Sequence, residues 1–180
     1  MKSHNYSKRI ILFATLTILT LGLTGCSILQ AENLFDDAGD VAGKIADYAL
    51  PKDYREQFAV EMMDYQVISL IGIEESSHIY LIQAPKDMDI NIDSLQQARI
   101  MDNNDTIEPK QMQVVENRPV MIRGQSVNLV IQEGLNSENQ PYRSATALFE
   151  GRNGPALVSI SSMFSVWNPE MVDAFLASLN

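Results

Sequence analysis

The chain has one cysteine, Cys26, and only two histidines, His4 and His78. A single cysteine cannot form an intramolecular disulfide, so the hydrophobic core must stabilise the fold. Tight zinc or copper sites recruit clustered histidine and cysteine, so we expect no such site. A serine triad needs a histidine base. His78 starts a predicted strand without a Gly-x-Ser-x-Gly turn in the sequence, so we expect a half-exposed strand residue with no catalytic role.

Basic residues are also scarce, 13 lysines and arginines against 23 acids. Three of them, Lys2, Lys8 and Arg9, precede residue 26, whereas all the acids follow it, so the remainder carries a formal charge of −13. Such a surface repels phosphate, which argues against nucleic-acid binding. The sequence has neither a phosphate-binding GxxxxGK[ST] loop nor a GxGxxG motif, and we predict no cofactor.

The apolar run near the start of the chain is short for a membrane-spanning helix. The run at residues 10–23 has fourteen uncharged residues, which as a helix would extend about 21 Å against a hydrocarbon core of about 30 Å. Lys2, Lys8 and Arg9 precede it, which is the charge pattern of an export signal.

Directly after this run, Leu23-Thr24-Gly25-Cys26 resembles the lipobox of bacterial lipoproteins. The resemblance implies a diacylglyceryl group on the Cys26 sulfur, cleavage between Gly25 and Cys26, and fatty acylation of the new amino terminus. The predicted organisation is a signal peptide at 1–25, a lipidated cysteine and tether at 26–33, and one domain at 34–180.

Two or three acyl chains make a stable membrane anchor, because each buried CH₂ contributes about 0.8 kcal/mol. We therefore expect the protein outside the cytoplasm, attached to a membrane through lipid on Cys26. Ser27 resembles the residue that follows the cysteine in enteric lipoproteins sent to the outer membrane. The expected location of the protein is therefore the periplasmic face of the outer membrane.

Hydrophobic periodicity predicts helices at both ends of the domain and a weaker one in its middle. Apolar residues recur at helical spacing over residues 34–49, and a weaker pattern covers 92–102. Asn168-Pro169-Glu170 combines an N-cap, a proline at the first helical position and an acid in the first turn, and Trp167 is placed to pack on Val172. Short stretches rich in β-branched and aromatic residues predict strands at 58–63, 67–72, 78–83, 112–116, 120–123, 127–132, 142–150 and 156–163.

Short loops join most of these strands, which favours antiparallel neighbours. The predicted fold class is α+β, an antiparallel meander covered by the N-terminal and C-terminal helices in a single domain. Tyr48-Ala49-Leu50-Pro51 and Glu56-Gln57-Phe58 resemble features of uncharacterised bacterial proteins. The meander that ends in Trp167 and a C-terminal helix is more loosely similar to PsbP-like domains, which implies an accessory or binding role.

Metal and ligand sites have weak signals. Asp87, Asp89, Asn91 and Asp93 recur at every second residue, as oxygen ligands of calcium could, but an EF-hand beginning at Asp87 would need glycine at its sixth position and glutamate at its twelfth. We favour a solvated edge and predict no metal site. Several methionine and aromatic residues could line a ligand pocket or a partner surface, although core packing is the commoner use of such residues. They are Met62, Met63, Tyr65, Tyr80, Tyr142 and Phe149.

The leading hypothesis is a lipid-anchored, non-catalytic accessory or binding module of the cell envelope. Its partner would meet the sheet surface or the polar loop at residues 133–141, and Gly151-Arg152-Asn153-Gly154 would be a plain hairpin turn. The alternatives are an envelope hydrolase with paired carboxylates, one with a raised pKa, and a lipoprotein that binds calcium or a small ligand.

Overall fold

The computed structural model describes residues 38–62, 64–88, 90 and 109–180, and all of them belong to one compact unit. Cys26, the tether after it and the helix predicted at 92–102 lie outside the described residues. No helix within these described ranges is long and apolar enough to cross a membrane.

The described chain forms seven strands, two α-helices and one short 3-10 helix. In chain order these are α1 (Ala38–Ile45), β1 (Tyr54–Met62), β2 (Tyr65–Gly72), β3 (Ser77–Gln83), β4 (Lys110–Ile122), β5 (Gln125–Leu135), β6 (Pro141–Glu150), β7 (Pro155–Met163), the 3-10 helix Phe164–Val166, and α2 (Pro169–Ser178).

The strands form one antiparallel sheet in the order β1-β2-β3-β7-β6-β5-β4. The antiparallel prediction is confirmed, but the sheet is two meanders, β1–β3 and β4–β7, joined by pairing of β3 with β7. The connection between β3 and β4 covers residues 84–109 and is long enough for β4 to lie at the far edge. Only strands joined by short loops are obliged to be neighbours.

Side chains alternate between the two faces of the sheet. On one face Val41 and Ile45 of α1 and Phe175 of α2 belong to the same buried cluster as strand residues such as Ile68 and Leu81. Burial of each such side chain contributes about 1.5–3 kcal/mol. The opposite face has a smaller cluster that includes Phe58, Val67, Tyr80, Ile82 and Leu157.

Strand β4 differs from its prediction, because the two strands expected at 112–116 and 120–123 are one strand of 13 residues. It contains Pro119, which lies between the two expected strands. The strand lies at the sheet edge, where no second neighbour requires the N–H that proline lacks. Two register shifts, between Lys110 and Gln113 and between Val114 and Glu116, disrupt the exposed edge further.

Helix α1 ends at Ile45, four residues before the predicted end. The Arg152 Nη1 donates to the Gly43 carbonyl at 2.7 Å, and the Arg152 N–H donates to the Ile45 carbonyl at 2.9 Å. The Arg123 Nη1 donates to the same Ile45 carbonyl at 2.9 Å. Because these groups satisfy helix carbonyls that have no intrahelical partner, the helix can end there and the chain can continue to β1.

Helix α2 starts as predicted. The Asn168 Oδ1 accepts a hydrogen bond from the Met171 N–H at 3.1 Å, and Pro169 occupies the first turn. Trp167 packs against the buried cluster to which Val172 belongs.

Candidate functional site

The two ends of the sheet differ in construction. At one end, which we call the locked end, Arg123 and Arg152 join the α1 C-terminus to the chain end. Asp47 and Asn180 exchange backbone hydrogen bonds of 2.9 and 3.1 Å, and Arg152 pairs with the Asp47 carboxylate. The tight turn at 151–154 closes with a 2.9 Å bond from the Gly151 N–H to the Gly154 carbonyl, which confirms the hairpin turn.

The opposite end, which we call the open end, carries the loop 73–76, the loop 136–140 and the 3-10 helix Phe164–Val166. A cleft of about 600 Å³ opens here, on the side of the sheet that faces the helices. Its apolar lining comes mainly from Pro51, Tyr54, Ile73, Val166 and Met171, and its polar lining from Lys52, Asp53, Glu74, Ser76, Ser77 and Asn168.

Large apolar side chains are exposed around this cleft. Ile73 in the loop after β2 is 65% exposed, and Val166 on the opposite wall is 40% exposed. Phe164 and Leu50, which neighbour cleft residues in sequence, are 51% and 45% exposed. Single exposed apolar residues are ordinary, but several around one concavity make it a candidate interaction surface.

The floor of the larger cleft is held by the strands. The Ile73 N–H donates to the Asp53 carbonyl at 2.8 Å, which ties the loop to the start of β1. Burial of Tyr54 raises the pKa of its phenol, and a hydrogen bond with Ser77 partly opposes this shift. Tyr54 is therefore a neutral hydrogen-bonding group at neutral pH.

Arg143 fixes the wall formed by the 3-10 helix. Its guanidinium lies 4.7 Å from the centre of the Phe164 ring and 5.5 Å from that of Trp167, and it pairs with Glu133. Each cation–π contact contributes about 0.5–2 kcal/mol, depending on desolvation. Val166 is consequently presented by an anchored segment.

A second cleft of about 190 Å³ lies beside the first and shares Ser76 with it. It is lined by Glu75, Ser76, Asn136, Glu138, Gln140, Tyr142 and Met163. The Asn136 Oδ1 accepts from the backbone N–H groups of Glu138 and Gln140 at 3.0 and 2.8 Å, and its Nδ2 donates to the Gln140 side chain at 3.0 Å. Asn136, 7% exposed, thus organises the loop from within.

The loop predicted at 133–141 as a partner-binding segment is shorter in the structure. Residues 133–135 belong to β5 and Pro141 starts β6, so the loop is 136–140, and it lies at the open end. Of the aromatic candidates, Tyr142 lines the smaller cleft, whereas Tyr80 and Phe149 are buried in the two cores. The Tyr65 hydroxyl donates to the Met88 sulfur at 3.4 Å, and the side chains of Met62 and Met63 lie outside the described part.

His78 corrects the sequence prediction, because it is only 2% exposed instead of half-exposed. It lies on β3, which has β2 on one side and β7 on the other, and its ring stacks on Tyr80 with 6.2 Å between centroids. Ser161 is its register partner on β7. The position of the strand at the centre of the sheet buries His78, and strand position is not visible in local sequence.

The structure tests the calcium series only in part. Asp87 is exposed at the end of a turn, and Asp89, Asn91 and Asp93 lie outside the described residues. Within the described ranges, no three histidine, cysteine or carboxylate side chains come together as metal ligands.

In the part of the chain that the structure describes, the carboxyl groups of Asp47 and Glu61 have lowered pKa values. A hydrogen bond from Arg152 lowers the pKa of Asp47, and a hydrogen bond from Lys44 lowers that of Glu61. A general acid in glycoside hydrolysis needs a raised pKa, so these two carboxylates do not suit that role.

Sequence reasoning missed the larger cleft. Ile73 and Val166 look like core residues in the sequence, and they come together only because β2 and the segment after β7 end at the same side of the sheet. One signal was present: Ile73 lies next to the acidic pair Glu74-Glu75, just after the strand predicted at 67–72.

No protein-family model matches this chain, and no curated protein is significantly similar to it in sequence.

Proposed function

We propose that this chain is a lipid-anchored, non-catalytic accessory or binding module of the bacterial cell envelope. It binds a partner protein through the open end, while lipid on Cys26 keeps it on a membrane outside the cytoplasm. The observation that carries this proposal is the larger cleft with its partly exposed apolar residues Ile73 and Val166.

A protein partner fits these features better than a small molecule. A cleft of about 600 Å³ falls within the range of ligand pockets, about 300–1,000 Å³, but such pockets enclose most of their ligand. Here Ile73 is 65% exposed in a loop and Phe164 is 51% exposed outside the cleft. Partly buried apolar anchors with a polar rim are typical of protein interfaces.

The anchor follows from the lipobox Leu23-Thr24-Gly25-Cys26 and from Ser27, which favours the periplasmic face of the outer membrane. We further propose that the described sheet with α1 and α2 is an α+β domain of the PsbP-like kind. Helices that cover an antiparallel sheet and a C-terminal helix after Trp167 support this proposal.

Binding is tested by co-purification of the tagged full-length protein from gently solubilised native membranes, with mass spectrometry of bound proteins. We expect a stoichiometric partner that is lost in a variant with Ile73→Ser and Val166→Ser. The matched control is Met121→Ser with Leu148→Ser, which removes apolar side chains that are 57% and 52% exposed outside the clefts. Equal partner yield from both variants would contradict the proposed surface.

The anchor is tested separately by metabolic labelling with a fatty acid. Cys26→Ala should abolish labelling and leave a precursor that is not cleaved, whereas Cys26 in the wild-type chain is labelled. Labelling of the variant at the wild-type level would rule out lipidation at this residue.

A further inference from the structure

The two clefts cross the open end from one side of the sheet to the other. The larger cleft includes Tyr54 at the start of β1, and the smaller one includes Tyr142 at the start of β6. In the strand order β1-β2-β3-β7-β6 these two strands are four spacings apart, or about 19 Å at 4.8 Å per spacing. Tyr142 and Met163 alternate with Ala145 and Ile160, which face the helices, so the smaller cleft lies on the other face of the sheet. A bound segment therefore passes around the loop at Ser76, which both clefts share, and needs at least about six extended residues at roughly 3.3 Å per residue.

The lining of the clefts has a clear charge bias. Asp53 and Glu74 line the larger cleft and Glu75 and Glu138 the smaller one, against one basic residue, Lys52. Apolar and acidic groups therefore line both clefts. A segment that carries both apolar and basic side chains is complementary to this pattern, and an acidic segment is repelled by it.

The smaller cleft has the size and chemistry for one basic side chain. Its volume of about 190 Å³ is below the range of about 300–1,000 Å³ that whole ligands usually need. The thioether of Met163 can pack on an aliphatic stem, and Glu138 and Glu75 can receive the charged group.

Arg55 is the internal competitor for this charge. Its Nη2 lies 3.1 Å from the Glu75 Oε1, and the two side chains are 55% and 68% exposed. An ion pair so exposed contributes little to stability, so a partner can replace it at low cost. Glu138 lies on the other wall of the cleft, in the loop that Asn136 organises.

We propose that the open end binds an extended segment of a partner protein that is both basic and apolar, with its apolar residues in the larger cleft and a lysine or arginine in the smaller cleft. This inference rests on the proposed function and names the class of partner. A lipid surface is the less suitable occupant, since anionic headgroups would meet the four carboxylates of the clefts.

The test uses fluorescent heptapeptides and the full-length protein in zwitterionic nanodiscs, with fluorescence anisotropy corrected for empty nanodiscs. One peptide alternates lysine and leucine, a second replaces every lysine by glutamate, and a third replaces every leucine by serine. We expect the first to bind at least about tenfold more tightly than either other peptide, and to lose affinity as salt is raised.

Two variants test where the peptide binds. Glu74→Gln with Glu138→Gln should weaken binding of the lysine–leucine peptide by about fivefold or more, because one carboxylate is lost from each cleft. The control Glu150→Gln removes an exposed acid at the locked end and should leave affinity unchanged. Equal affinity for the glutamate peptide, an unchanged affinity of the double variant, or binding to anionic vesicles with none to the peptide would overturn the inference.

The outcomes separate this inference from the proposed function. If the native partner is lost in the variant with Ile73→Ser and Val166→Ser, but the three peptides bind alike, the docking surface is correct and the partner class is wrong. If the native partner is retained in that variant, the proposed function itself fails.

Discussion

The locked end and the open end belong to the same sheet, yet they differ in how their side chains are paired. At the locked end, Arg123 and Arg152 donate to backbone carbonyls of α1, and Asp47 pairs with the chain terminus. At the open end, Ile73 and Val166 remain partly exposed around a cleft. The difference indicates that the hydrogen bonds of the locked end stabilise the fold. The open end is then free of that task, and we propose it as the binding surface.

Among substitutions at the two ends of the sheet, the largest effect on stability is expected from Gly154→Ala at the locked end. A Cβ at this position would lie 2.5 Å from the Ala84 carbonyl oxygen and 3.0 Å from the Lys86 nitrogen, both of which are backbone atoms. We expect the free energy of unfolding to fall by about 2–3 kcal/mol, measured by urea denaturation. The control Gly43→Ala meets nothing within 4 Å in α1 and should raise stability by about 0.5–1 kcal/mol. An unchanged midpoint for Gly154→Ala would refute the close packing.

Arg152→Ala should be the next most damaging change, since it removes the bonds to Gly43 and Asp47. A hydrogen bond from a charged donor contributes about 1.5–3 kcal/mol, and here the bond to the Gly43 carbonyl supplies most of it, because Asp47 is 70% exposed. We expect a loss in that range by urea denaturation, with little change for Lys52→Ala, an exposed cation at the open end. Similar losses for the two variants would remove the distinction between the ends.

At the open end, Asn168→Ala should cost about 1 kcal/mol because it removes the N-cap of α2. Asn168→Ser retains a capping oxygen and should stay within a few tenths of a kcal/mol of the wild type. Thermal unfolding followed by circular dichroism distinguishes the two. If Asn168→Ala unfolds at the wild-type temperature, the hydrogen bond to Met171 is not stabilising.

A smaller effect is expected from acid. The Arg152 hydrogen bond lowers the pKa of Asp47 below its ordinary value of 3.8. Because the folded-state pKa is the lower one, this contribution is fully present above the unfolded value and is lost as pH falls through 3.8 towards the folded-state pKa. The stability difference between wild type and Asp47→Asn should therefore shrink between pH 6 and pH 3. A difference that is independent of pH would contradict the ion pair.

The smallest effect on stability should come from Ile73→Ser, although it removes a large apolar side chain. Ile73 is 65% exposed, so the free energy of unfolding should change by no more than about 0.5 kcal/mol. The contrast is Ile68→Ser at a position with 0% exposure, where we expect a loss of several kcal/mol, on the order of 3. Comparable losses in urea denaturation would mean that Ile73 is part of the core.

Much of the fold could be predicted from local sequence. The strands expected at 67–72 and 78–83 match β2 and β3 closely, because their apolar runs are bounded by a polar loop. The Asn168 cap is likewise a local signal. Pairing of β3 with β7 could not be predicted, since the long connection to β4 leaves strand order undetermined. The continuity of β4 through Pro119 could not be predicted either, because a proline is tolerated there only at the sheet edge.

The site was harder to predict than the fold. The loop around Glu133 to Pro141 was a candidate, and its central part lies at the open end. The larger cleft depends on Ile73 and Val166, which are 93 positions apart in the sequence. Local sequence does not distinguish an exposed apolar residue from a buried one, so the exposure of Ile73 and Val166 becomes visible only in the assembled fold.

The most direct test of the open end as a binding surface is photo-crosslinking in cells that produce the full-length protein. A photoreactive phenylalanine analogue is placed at Ile73 in one strain and, as control, at Met121, which is 57% exposed on the edge strand β4. We predict one discrete crosslinked protein from position 73 and none of that mass from position 121. The same adduct from both positions, or an adduct from 121 alone, would contradict the assignment of binding to the open end.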